Sequence, residues 1–406
     1  MQKSSNQTAQ TGGHLGQPET LFAVLAVYFC INVMVRLLLP HGLELDEAEQ
    51  VFLSQWLLAG YGAQPPFYNW LQYGAISVFG MSLATLSGLK NLMLFCSYLF
   101  FYLAARQVMG NKRLAIVAAL GLLTIPQVAF EAQRDLSHTV ASIFGASLFL
   151  YALLRVLSAP TFVSFLLFGL ATGVGGITKY NFVVLPLAVG LAVLMDKDMR
   201  RTILDWRILA AGLVALVVVA PHALWLVDNL DAASGNTVRK LVNDDTTYLV
   251  GVVKGLASLS LSFLSFTALT SVVVLLVYRE HVREIIKASN GWTRLLGRTV
   301  IASIFVIVLM ILFAGLENVR DRWMTPILLL WPLYLVLKVD QAQVPLLPPL
   351  RRMGGVAAVI MLIIPSVLFG RVALDRFAGE YGYVNIPFAS LAKTVGEKAA
   401  GARTVV

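Results

Sequence analysis

The chain has 406 residues, 58% of them hydrophobic and only 13% charged, with a mean hydropathy of +0.77. Soluble domains carry about 25% charged residues, so this composition excludes an ordinary soluble fold and points to an all-α, polytopic integral membrane protein. The formal net charge of +9 fits basic residues held in short loops on the cytoplasmic side, facing anionic lipid, better than a nucleic-acid partner.

Taken in order, residues 1–19 read as a disordered cytoplasmic tail, polar and rich in Gln, Thr and Gly. Leu21 to Leu39 is the first apolar run. No small-residue cleavage pattern follows it, so the reading is a retained signal anchor. Asp46 to Ala59 then shows one apolar helical face, Ala48, Val51, Phe52, Trp56 and Leu57, as expected of an interfacial helix. Pro65 to Phe79 opens on Pro-Pro and continues into Phe67, Tyr68, Trp70 and Tyr73, aromatics suited to the headgroup level. These two pieces form a juxtamembrane loop over 40–85.

Further apolar runs cover 86–109, 113–128, 136–157, 161–177, 181–195, 206–227, 249–278, 299–315, 323–338 and 353–371. With the first, they predict about 11 spans at roughly 20 residues per crossing. The main unit is therefore 20–372, with a short outer tail at 373–406. The loop 279–298 reads as a basic surface helix on the inner leaflet, and Pro345, Pro348 and Pro349 as a stiff loop. Cys30 and Cys96 lie in apolar runs, which excludes a disulfide framework.

With the N-terminus in the cytoplasm, the Lys- and Arg-rich loops fall inside and most acids fall outside. The polar groups that break the apolar pattern then share the outer face: Glu44, Asp46, Glu47 and Glu49; Arg134 and Asp135; Lys179; and the turn Glu317 to Trp323. Asp46 and Glu49 have capping-box spacing, so Asp46 is expected to cap its helix. A carboxylate at that helix end stays ionised and suits deprotonation of a hydroxyl. Asp135 is a second carboxylate at the same mouth, and the bland alternative for it is a cap beside a snorkelling Arg134. His138 reads as a core or interface histidine. Lys179 on the outer face runs against the positive-inside bias, which favours an anionic ligand. Arg320 and Arg322 suit phosphate oxygens, unless they pair with Glu317 and Asp321. There is no P-loop, GxSxG, HExxH or CxxC. A divalent cation shared by His41 and Asp46 is the metal site that the pattern allows.

Five stretches carry a resemblance: LDEAEQ at 45–50, QPPFYNWL at 64–71, RDLSHTV at 134–140, GLATGVGGITKYNFVVLPLA at 169–188 and DRWMTPILLLWPL at 321–333. Their order resembles the GT-C class of polyprenyl-phosphate-sugar-dependent glycosyltransferases. The branch is that of the aminoarabinose lipid A transferases, rhizobial galacturonosyltransferases and protein O-mannosyltransferases. The resemblance implies an inverting enzyme of the bacterial inner membrane, with its site on the outer face. Sugar would pass from a polyprenyl-phosphate donor to a lipid, glycan or protein acceptor of the cell envelope. It implies Asp46 as the catalytic carboxylate, with Glu47 and Asp135 positioning substrates. Lys179, Arg320 and Arg322 would neutralise the donor phosphate, and Gln64, Pro65, Pro66, Tyr68 and Arg134 would line the cavity. Two departures stand out. Relatives often place a basic residue where this chain has Gln64, and the outer tail is short. A transporter of lipid-linked glycans is the alternative, but it should show mid-span charges and inverted repeats.

Overall fold

The structure, a computed structural model, describes residues 16–135, 137–233, 247–345, 347–379 and 382–399. Most of the expected N-terminal tail, much of the 228–248 loop and the last residues lie outside these. Every regular element among the described residues is a helix. The main ones are α1 (Pro18–Leu38), α2 (Leu45–Leu53), α3 (Phe67–Phe79), α4 (Leu83–Val108), α5 (Lys112–Leu120), α6 (Ser137–Ser158) and α7 (Phe162–Gly176). They are followed by α8 (Val184–Leu194), α9 (Arg207–Asp228), α10 (Tyr248–Val277), α11 (Gly291–Ala314), α12 (Trp331–Gln341), α13 (Leu347–Ala378) and α14 (Phe388–Lys398).

Seven helices among the described residues are long and apolar enough to cross a membrane: α1, α4, α6, α9, α10, α11 and most of α13. The 113–128 run is part of an eighth candidate, bent by 75° between Lys112–Thr124 and Gln127–Arg134. Pro126 sits at the bend, where its ring and missing N–H break the helical ladder. The runs at 161–177 and 181–195 form shorter apolar helices, Phe162–Gly176 and Tyr180–Leu194. The 323–338 run is divided into the turn Thr325–Leu328 and α12. Exposed leucines and valines on α9 and α10, and Ile301, Phe305 and Phe313 on α11, face outward, as lipid-facing surfaces do.

The central core packs α4 on α6, and α7 on α6 and α9, with the bent pair and α12 beside them. α6 is the most enclosed of the candidate spans. Close approach of α7 to its neighbours needs glycine. A side chain at Gly169 would strike the backbone of Ala211, and one at Gly175 would strike the ring of Phe182.

Three local expectations change. The amphipathic helix predicted to Ala59 stops at Leu53. The chain then turns through Gly60 and Gly62, the latter at φ +86°. Tyr61 fixes this loop, its hydroxyl donating to the Trp56 carbonyl and accepting from the Leu58 N–H. The basic loop at 279–298 is partly absorbed into α11, which starts at Gly291 behind an Asn290 cap. Pro348 and Pro349 stand in the first turn of α13 rather than in a loop, the position where a missing N–H is harmless.

Candidate active site

The site begins at the N-terminus of α2. The cap is Glu44, not Asp46, and the residue reaching back to it is Glu47, whose Oε2 accepts the Glu44 N–H at 3.3 Å. Four acids in six residues allow more than one capping frame, and the ion pairs of Glu44 and Glu47 select this one. Glu47 is 8% exposed. It is held by Lys90 Nζ at 3.0 Å and Arg36 Nη2 at 3.3 Å. Burial pushes its pKa up, but Lys90 and Arg36 outweigh burial and hold the carboxyl below its usual value. Glu44 pairs with Arg371 of α13.

This frame leaves Asp46 in the first turn of α2, with its carboxylate free of any protein ion pair among the described residues. Its backbone N–H donates to Asp135 Oδ1 at 3.1 Å, so Asp135 satisfies one of the open donors at the helix start. Two chain segments 89 residues apart thus place their carboxylates together. Burial first, then the negative charges of Asp46, Glu44 and Glu47, raise the Asp135 pKa to about 6 against the pull of Lys90.

Beneath the pair, Gln50 Oε1 accepts from Asn69 Nδ2 at 2.7 Å and meets His138 Nε2 at 3.0 Å. His138 is a buried core residue. Tyr68 is buried against the His138 ring. Pro65 and Pro66 are also buried, and the N–H that follows them, from Phe67, donates to the Ile177 carbonyl at 3.1 Å. These residues support the floor of the site.

Lys179, Arg320, Arg322 and Gln64 line one cavity of ≈ 340 Å³, with Tyr180, Asn181 and Trp323. Lys179 Nζ donates to Thr139 Oγ1 at 3.1 Å and to the Arg322 carbonyl at 3.4 Å. Asn181 Nδ2 donates to the Trp323 carbonyl at 2.6 Å, so the 179–181 and 322–323 segments are tied together. Burial, then the charge of Arg322, lowers the Lys179 pKa to about 7, while Asp46 and Asp321 act the other way. Asp321 bonds Gln127 Nε2 at 2.9 Å and the Arg322 N–H at 2.7 Å. Among the described residues no ion pair joins Arg320 or Arg322 to an acid. Arg134 stands apart from this cavity, paired with Glu131 at 2.8 Å. No group of three His, Cys, Asp or Glu among the described residues stands close enough to hold a metal ion. His41 lines a separate open groove against residues 383–388.

Residues 63–225 match the family described as dolichyl-phosphate-mannose-protein mannosyltransferase. Two relatives from Rhizobium johnstonii match over most of the chain. The lipopolysaccharide core galacturonosyltransferase RgtB is 47% identical over 93% of this chain and 77% of its own length. The lipopolysaccharide core galacturonosyltransferase RgtA is 44% identical over 94% and 77%. The chain belongs to the GT-C family of membrane glycosyltransferases. Its fold is shared with ArnT from Cupriavidus metallidurans. The ArnT structure bound to undecaprenyl phosphate aligns with a TM-score of 0.61 at 16% identity, over 93% of this chain and 72% of ArnT. The apo ArnT structure aligns with a TM-score of 0.55 at 17% identity, over 88% and 65%.

Sequence reasoning about this glycosyltransferase missed Lys90, Arg36 and Arg371. The signal for Lys90 was present: a lone cation within an apolar run needs a partner. Its partner is Glu47, 43 residues away. His222 of α9 was missed too. Its ring stacks on Tyr180 and Trp225, and its nitrogens meet the Ala59 carbonyl at 2.9 Å and the Tyr180 hydroxyl at 3.2 Å. It ties the loop before Gln64 to the wall of the cavity.

Proposed function

We propose that this glycosyltransferase moves a sugar from a polyprenyl phosphate to a lipopolysaccharide-type acceptor on the outer face of the bacterial inner membrane, with its N-terminus cytoplasmic. The names of the two Rhizobium relatives make galacturonic acid the sugar of choice. The ArnT structure with undecaprenyl phosphate supports a polyprenyl-phosphate carrier. The observation that carries the reading is the arrangement around Asp46. An unpaired carboxylate stands beside Asp135, and its charge reaches Lys179 in a cavity shared with Arg320 and Arg322.

The acceptor hydroxyl oxygen attacks the anomeric carbon, and Asp46 takes the hydroxyl proton. The bond from that carbon to the phosphate oxygen breaks, and its electron pair stays on the departing polyprenyl phosphate. Lys179, Arg320 and Arg322 are the cations that stabilise the charge developing there. A single displacement inverts the anomeric centre. Asp135 fixes the start of α2 and so aims Asp46, while Glu47, occupied by two cations, anchors the helix.

The test is Asp46→Asn in proteoliposomes with a radiolabelled lipid-linked sugar and purified lipopolysaccharide core. Transfer falls by about 10²–10⁴-fold while the protein stays monodisperse on size exclusion. A full transfer rate in the folded variant refutes the base assignment.

A further inference from the structure

We infer that the narrow cavity between α1, α4 and α13 is a second anion site of this enzyme, taking the phosphate or carboxylate of the acceptor. This rests on the transferase reading above. The cavity is lined by Asn32, Arg36, Glu44, Lys90, Arg134 and Arg371, among others. It is distinct from the cavity of Lys179, Arg320 and Arg322, with which it shares no lining residue.

Charge gives its specificity. Arg36 and Lys90 share Glu47, Arg134 holds Glu131, and Arg371 holds Glu44. The cavity wall itself carries these four cations and one acid, Glu44; Glu47 and Glu131, and Asp135 acting on Lys90 and Arg134, are not among its lining residues. Arg371 also keeps a donor in hand: its buried Nε has no hydrogen-bond partner among the described residues. A buried guanidinium donor without an acceptor is unfavourable, and an anionic oxygen relieves it.

Size gives the ligand class. Space for water-sized groups is ≈ 30 Å³, and one such group needs about 10–15 Å³. Two or three oxygen-sized groups fit, which is a carboxylate or phosphate head and not a whole sugar.

Position gives the role. Glu44, two residues before Asp46, and Gln133 and Arg134, just before Asp135, wall this cavity. The charge of Asp46 acts on Lys179 in the other one. The carboxylate pair therefore lies between two cationic pockets. A two-substrate transferase with an anion on each substrate needs that layout: donor phosphate on one side, an acidic group of the acceptor on the other.

The experiment is calorimetric titration of inorganic phosphate into the full chain in phosphatidylcholine nanodiscs, with undecaprenyl phosphate added to occupy the donor side. Binding persists with that lipid present, weakens at least tenfold in Arg371→Met and strengthens several-fold in Glu44→Gln, which removes a competing negative charge. The opposite shifts separate an anion site from a fold defect. Phosphate binding unchanged in both variants, or abolished by undecaprenyl phosphate, overturns the second site. Nanodiscs containing phosphatidylglycerol distinguish the source: if they suppress phosphate binding, the site holds a bulk lipid headgroup and the acceptor assignment falls. If Asp46→Asn transfers sugar normally while Arg371→Met still loses phosphate, the base assignment falls and the anion site stands.

Discussion

Asp135→Asn should make the protein more stable above pH 6. The Asp135 pKa is raised from 3.8 to about 6 by burial and by Asp46, Glu44 and Glu47. A raised folded-state pKa means the native protein binds the proton more tightly than the unfolded chain does. The associated stability is present below pH 3.8 and is lost as pH rises through about 6. Roughly 2 units correspond to about 3 kcal/mol at full value. The carboxyl is partly solvated, so screening reduces this to ~1 kcal/mol. Asparagine keeps an oxygen for the Asp46 N–H, which Asp135 now accepts at 3.1 Å, and carries no charge. At pH 8 the variant should therefore unfold at a temperature about 1–2 °C above the parent. Near pH 5 the difference should be about half of that, and below pH 3.8, where both folded and unfolded states are protonated, it should vanish. The assay is thermal unfolding of the full chain in detergent at pH 4, 5 and 8, followed by intrinsic fluorescence. A difference that does not change with pH refutes the charge argument, as does a variant less stable at pH 8.

Two other substitutions test the flanks. Arg320→Ala removes one donor-cavity cation, so the KM for the lipid-linked donor should rise about tenfold or more while the KM for the acceptor holds; equal effects on both would count against a phosphate role. Lys90→Met leaves buried Glu47 with Arg36 as its one remaining side-chain cation. The expected loss is about 3 kcal/mol, seen as a lower unfolding temperature, and a change of less than 0.5 kcal/mol would show that the pair carries little of the fold's stability.

Much of the fold and part of the site are legible in the sequence, and the boundary has physical causes. Apolar runs announce the spans because hydrocarbon demands satisfied backbone and apolar side chains over a fixed length. They say less about breaks. Pro126 marks the 75° bend, yet a proline inside an apolar run does not reveal whether the helix kinks or stops. Lys179, Arg320 and Arg322 are visible because each sits at the end of an apolar run, and the structure does gather them with Gln64. Asp46 is visible for the same reason. The cap frame is not. Glu44, Asp46, Glu47 and Glu49 offer overlapping capping patterns, and the choice is made by Arg371, Lys90 and Arg36, hundreds or tens of residues distant. The end of α2 is set likewise by a hydroxyl from Tyr61 and by the ring of Trp225 beside Gly60, both invisible to hydrophobic periodicity. Tyr68, Pro65 and Pro66 read as cavity wall because aromatic and Pro-Pro motifs look alike on either side of a buried surface.

Gln64 sharpens the view of the donor cavity. The resemblance implies a cation at this position and the chain has a neutral amide, yet three cations line the same space. Neither arginine is matched by an acid among the described residues, and Arg322 helps to push Lys179 down to about 7. Within the protein alone these like charges repel one another. A phosphate reverses the balance: it pairs with the guanidinium groups and returns Lys179 to its charged form. On the proposed reading, part of the donor's binding energy would therefore come from relief of repulsion already built into the fold. The departing phosphate would gain most, because its negative charge would grow as the sugar leaves. A fourth fixed cation at position 64 would raise affinity for donor and released carrier alike. On the proposed reading, three cations, one of them titrating near neutral pH, would favour the transition state while letting the spent polyprenyl phosphate go.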